Sequence, residues 1–202
     1  AKNLFESSSH LMRRVQGGKL RGEYGHPKLL PGQSQASFAN RVLTIDEGNT
    51  CCHHRSIRLD TQSVRDAEGR PVIAIVSEVF PSGPLGHVLE RSLNNPSENV
   101  CFSIRAFTDN FREGGLTKRI LKTIVTWDLV NEPGISVAEK YQSPALEARL
   151  LEDHQFSRGD LERAISSPKT IGVATESVML SANGLFASMG WNAPLRPNWT
   201  NW

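Results

Sequence analysis

Residues 100–130, VCFSIRAFTDNFREGGLTKRILKTIVTWDLV, decide how this chain folds. Two stretches rich in β-branched and aromatic residues, 100–109 and 116–130, flank NFREGG, whose paired glycines can take the positive φ angles of a tight turn. The pattern predicts an antiparallel hairpin. If it turns about Gly114-Gly115 without interruption, Ser103 pairs near Thr126 and Asp128 near Cys101. Ser103 and Asp128 then lie diagonally on one face, roughly 7–8 Å apart. That is too far for a direct hydrogen bond, but an imidazole between them could meet both, as a Ser-His-Asp triad requires.

Working outward, 53–64 (HHRSIRLDTQSV) and 71–80 (PVIAIVSEVF) read as a second antiparallel pair joined through DAEGR, and residues 84–94 as a helix with Pro84 near its first turn. Residues 3–16 place Leu4, Phe5, Leu11, Met12 and Val15 on a helical period, with Asn3 as N-cap and Gly17-Gly18 as the stop. The segment LRGEYGHPKLLPG is broken by prolines and glycines and is expected to be a loop or strand end. It carries His26, of the six histidines the one best able to reach the hairpin, because the loop can deliver its ring and Pro27 stiffens the exit. Beyond about residue 143 two helices are expected, SPALEARLLED and SRGDLERAISS, the second started by Ser157 with Asp160 three residues on. An irregular tail with Trp191, Trp199 and Trp202 follows. The expected architecture is α+β: antiparallel strands with peripheral helices over 1–142, then a helical extension over 143–202.

The 202 residues suffice for a core without crosslinks, and 23 basic against 21 acidic residues create no field to gather nucleic acid or an anionic membrane. No apolar run approaches the roughly 20 residues of a membrane span, and the N-terminus lacks a secretory apolar stretch, so a soluble intracellular protein is expected. Cys51, Cys52 and Cys101 are an odd set with two adjacent members, and free thiols are expected. TCCHHR at 50–55 holds zinc-ligand residue types, but neighbours on a strand face opposite ways, which argues against one ion gathering Cys51, Cys52, His53 and His54. One cysteine and one histidine are expected in the core and the others along a substrate cleft. Cys101, on the Ser103 face, reads as a structural thiol.

Three strings, GEYGHP around His26, CFSIRAF around Ser103 and TWDLVNEPG around Asp128, occur in the order His, Ser, Asp. Together they resemble the T-even-type bacteriophage prohead core protease family, itself similar in fold to herpesvirus assemblins. The resemblance spans roughly residues 10–135. It implies a mostly antiparallel β-barrel surrounded by helices, with Ser103 as nucleophile, His26 as general base and Asp128 as third member. It also implies cleavage of scaffold and major capsid proteins after glutamate, inside a procapsid in the host cytoplasm, with no cofactor and no metal. Self-association to a homo-oligomer fits the same class. Arg105, on the Ser103 strand face, is expected either to hold an oxyanion loop or to form a surface salt bridge. Zymogen trimming would place candidate self-cleavage sites at Glu147, Glu152 and Glu176, which end Ala-Leu-Glu, Leu-Leu-Glu and Ala-Thr-Glu. Two rivals stand beside this reading: a catalytically silent capsid-assembly or scaffold-binding protein, and a metal-dependent hydrolase built on residues 51–54.

Overall fold

A computed structural model describes residues 2–65, 69–131 and 154–166 of the chain. The order of elements is α1 (His10–Gln16), β1 (Arg21–Glu23), α2 (Gln35–Leu43), β2 (Thr50–Asp60), β3 (Ala74–Pro81), α3 (Gly86–Asn94), β4 (Cys101–Glu113), β5 (Leu116–Val130) and α4 (Arg158–Ile165). The α+β class is as expected. The strands form an antiparallel three-stranded sheet, β1-β2-β3, and an antiparallel hairpin, β4-β5. These two sheets do not make a closed barrel among the described residues.

The hairpin turns where the glycines predict, with φ of 58° at Gly114 and 80° at Gly115. Its register departs from the simple count. Two bulges, at Arg105/Ala106 and Phe107/Thr108, leave Val125 and Lys122 as extra residues on β5, so that Ser103 pairs with Asp128, Arg105 with Thr126 and Cys101 with Val130. One bulge would have turned Asp128 to the opposite face from Ser103, whereas two restore the face and shift the pairing by two residues. The expected diagonal relation is therefore corrected to a direct cross-strand pair, for which Cβ atoms lie about 4.5–5.5 Å apart. The bulge at Val125 has a packing reason. Its side chain is buried with Ala39 and Leu43 of α2, Phe107 of β4, and Leu161, Ala164 and Ile165 of α4, and its carbonyl accepts from Arg14 Nη1 at 2.7 Å.

The N-terminal helix is shorter than its apolar period suggests. A 3-10 turn over Lys2–Phe5 breaks off, and α1 starts at a new cap, Ser9, whose hydroxyl accepts from Met12 N and donates to Leu4 O. The serine hydroxyl supplies the cap that Asn3 was expected to provide. Helix α2 follows the LRGEYGHPKLLPG loop, in a stretch for which no element was expected. Ser34 caps it by accepting from Ser37 N, and Phe38, Ala39 and Leu43 face inward. Helix α4 starts as expected, on a reciprocal capping box between Ser157 and Asp160. It packs on α2 through the core just described, with Asn40 Nδ2 donating to Ala164 O at 2.8 Å. The expected helix SPALEARLLED, the glutamates at 147, 152 and 176, and the tryptophan tail lie outside the described residues.

Strand β1 stitches the sheets together. It pairs with β2, then runs on to a parallel bridge between Tyr24 and Leu129, with Gly25 N donating to Leu129 O at 2.7 Å and Thr126 Oγ1 to Arg21 O at 2.6 Å. The approach is possible because residue 22 is glycine: a Cβ there would lie 2.1 Å from Trp127 O and 2.6 Å from Cys52 Sγ.

Candidate active site

The stitching brings three chain regions to one point. Asp128 on β5 is fully buried and its carboxylate accepts four hydrogen bonds. Oδ1 receives Glu23 N at 2.9 Å and Arg105 Nη2 at 2.7 Å; Oδ2 receives Arg105 Nε at 2.8 Å and lies 2.8 Å from His26 Nδ1. Burial alone would raise the Asp128 pKa. The bond from His26, the Arg105 charge and hydrogen bonds, and the Glu23 N–H outweigh it and hold the carboxyl below its ordinary value. Since an ionised carboxylate only accepts, Nδ1 of His26 carries a hydrogen, which in the neutral ring leaves the lone pair on Nε2. His26 itself is partly exposed, its ring open to solvent on one side. Ser103, 8% exposed, sits across the strand pair from Asp128. Its hydroxyl is hydrogen-bonded to neither Asp128 nor His26.

Arg105 is not a surface salt bridge. It is 4% exposed, and its guanidinium grips Asp128 through two nitrogens, reaches Glu23 Oε1 at 2.9 Å and donates to Thr44 O at 2.9 Å. Glu23, fully buried, is held in turn by both guanidinium nitrogens of Arg41 on α2, by Asp46 N at 2.9 Å and by Asn49 Nδ2 at 3.3 Å. Desolvation pushes the Glu23 pKa up, but Arg41, Arg105 and the Asp46 N–H hold it below its usual 4.5. The result is a chain of alternating charge, buried at Glu23, Arg105 and Asp128 and partly exposed at its two ends, Arg41 and His26. Glu23 and Arg41 were not singled out from the sequence. The available signal was an acidic residue inside GEYGHP, beside a glycine on a short strand.

The histidine and cysteine cluster on β2 sits behind this site as core rather than cleft lining. Cys51, Cys52 and His54 are all buried, the two cysteines in one core cluster with Leu89 of α3 and Leu129 of β5; His53 is half-buried. His54 Nε2 donates to Trp127 O at 3.0 Å and Nδ1 meets Ser77 Oγ at 3.1 Å. Desolvation lowers its pKa, so the ring is neutral and structural. All three cysteines are buried free thiols. Among the described residues no group of three His, Cys, Asp or Glu side chains converges as metal ligands would.

The site belongs to a recognisable class: an α+β protein in which a buried carboxylate orients a histidine and faces a serine across one strand pair. The chain belongs to the peptidase S80 family, which it matches over residues 1–184. It is similar to the capsid maturation protease of Pseudomonas phage phiKZ, 34% identical over 149 residues, covering 72% of this chain and 54% of that protein. The chain thus spans about half the length of this curated relative. No solved structure matches it significantly. The resemblance to phage prohead proteases drawn from the three strings is borne out.

Proposed function

We propose that this chain is a serine endopeptidase of phage capsid maturation, with Ser103 as nucleophile, His26 as general base and Asp128 holding the histidine. The observation that carries the reading is the 2.8 Å contact of His26 Nδ1 with a buried, anionic Asp128 directly across the strand pair from Ser103. In the proposed reaction Nε2 takes the Ser103 proton as Oγ attacks the scissile carbonyl. Asp128 stabilises the imidazolium, and the proton then passes to the leaving amine; water repeats the sequence on the acyl-enzyme. The Ser103–His26 hydrogen bond would form on substrate binding, since such bonds commonly tighten in the Michaelis complex. The family membership and the phage relative support capsid-related protein substrates. By the same reading the substrates are scaffold and major capsid proteins cut after glutamate within the procapsid, and Glu147, Glu152 and Glu176 are self-cleavage sites. Sheets β1-β2-β3 and β4-β5, joined through β1, would be two parts of an assemblin-like barrel.

The test is labelling with a fluorophosphonate probe, with the adduct located by peptide mass spectrometry and the intact masses read on the same samples. Wild type should label on Ser103, Ser103→Ala should not, and His26→Ala and Asp128→Asn should label far more slowly. A wild-type chain that never labels, with termini identical to those of Ser103→Ala, would point instead to a silent assembly protein.

A further inference from the structure

We propose that Arg105 and Glu23 are positioning residues for the His26–Asp128 pair: Arg105 clamps the carboxylate so that Oδ2 faces the imidazole, and Glu23 draws off Arg105 charge so that Asp128 still acts as an anion toward His26. The inference rests on the proposed role of His26 as base, but its central readout does not require activity.

A guanidinium in bidentate contact with Asp128 fixes the carboxylate plane through two parallel bonds, at 2.8 and 2.7 Å. The same positive charge works against a positive imidazolium on the other side of Oδ2, which is the state a general base must reach. A lone arginine would therefore orient the site and weaken it together. Glu23 resolves the conflict because Arg105 Nη2 is shared between Asp128 Oδ1 and Glu23 Oε1 at 2.7 and 2.9 Å. Glu23 also donates its backbone N–H to Asp128 Oδ1, so one residue contributes to both the geometry and the charge balance. Arg41, 29% exposed on its side chain, closes the series from α2. With three buried charges and the partly exposed Arg41 alternating in sign, the pair sees an Asp128 that is fixed in place yet incompletely neutralised. Nε and Nη2 of Arg105 are engaged by Asp128 and Glu23, and Nη1 by Thr44 O.

Asp128 of β5 touches His26; behind it Arg105 of β4 holds Asp128, Glu23 of β1 holds Arg105, and Arg41 of α2 holds Glu23. Arg14 of α1 interacts with the Arg105 charge while bonded to Val125 O, and His54 and Cys52 of β2 sense the Asp128 charge. None of these last three is altered in the test, so their influence stays constant.

The experiment measures the His26 pKa by NMR of 13Cε1-labelled histidine in full-length Ser103→Ala protein carrying Arg105→Gln, Arg105→Lys, Glu23→Gln or Arg41→Gln. Removing the Arg105 charge should strengthen proton binding at His26 on the order of tenfold, and Glu23→Gln should weaken it about threefold, opposite in sign. Arg105→Lys keeps the charge and loses the fork. It should hold the pKa near wild type while, in the Ser103 background, slowing probe labelling. Arg41→Gln, at the partly exposed end, should raise the pKa slightly by leaving Glu23 freer to hold Arg105, and it decides the matter if the buried variants do not fold. Shifts of the same sign for Arg105→Gln and Glu23→Gln, or no shift in any folded variant, would overturn the proposal and leave a purely structural ion cluster. Opposed shifts with a Ser103 that never labels would retain the positioning network and remove the protease reading; labelling without the shifts would do the reverse.

Discussion

Gly22→Ala is the most severe test of how the site is assembled, because the fold depends there on a side chain being absent. The added Cβ would stand 2.1 Å from Trp127 O, 2.6 Å from Cys52 Sγ and 3.3 Å from His54 Nε2, more than an ångström short of ordinary contact with the first. Trp127 O is backbone, and it already accepts the His54 hydrogen bond, so it cannot simply swing away. Strand β1 must retreat from β5. Three bonds span that gap: Thr126 Oγ1 to Arg21 O, Glu23 N to Asp128 Oδ1 and Gly25 N to Leu129 O, at 2.6, 2.9 and 2.7 Å. Overpacking contributes about 1–3 kcal/mol, and weakening two or three bonds adds about 1 kcal/mol each. The expected loss is roughly 3–6 kcal/mol, a large part of the stability of a domain this size. Urea unfolding followed by circular dichroism measures it, and fluorophosphonate labelling of Ser103 should fall in parallel because His26 travels with β1. Gly25→Ala is the control: its φ is 79° but the space around it is open, so a cost of about 1 kcal/mol is expected. A Gly22→Ala protein within about 1 kcal/mol of wild type, with an unchanged urea m value, would refute the close-approach argument.

Two further outcomes follow from burial. His54 has a pKa below its ordinary 6.5, so the unfolded ring takes up protons that the buried one refuses; the urea midpoint should start to fall as pH drops below about 6.5. Asp128 and Glu23, both depressed, contribute stability that is complete above their ordinary 3.8 and 4.5 and is lost as pH falls through their lower folded values. A second, steeper decline is expected there, and a midpoint flat from about pH 7 to pH 5 would contradict the neutral burial of His54. Leu161→Ala, at a 1% exposed position of α4 against α2, should cost about 2–4 kcal/mol. A near-neutral result by the same urea assay would mean that α4 is not part of the core that positions α2 and Arg41.

Much of the local structure could be read from residue order. The β4-β5 hairpin turns at its glycine pair because only a residue without a Cβ takes those φ angles cheaply, and Ser157 begins α4 because a hydroxyl there satisfies an amide that the helix leaves unpaired. Helix α2 has a local signature too, since Ser34 precedes an amphipathic run and caps it. His26, Ser103 and Asp128 stand out through the hairpin pattern, the loop before Pro27 and the three short strings in chain order.

What residue order alone determined was therefore the α+β class, the main hairpin and its turn, and the three side chains of the candidate site. Tertiary packing decided how they meet. Val125 is drawn into a core built from α2 and α4, segments distant in sequence, and the bulge there, with the one at Lys122, moves Asp128 from diagonal to directly opposite Ser103. Burial likewise turned Arg105 and Glu23 from ordinary surface residue types into a paired network, since a desolvated charge must find an opposite one and their partners are separated from them by up to 82 residues of chain. Such partners have no local signature, because the strength of a buried ion pair depends on distance in space, which only the folded chain defines.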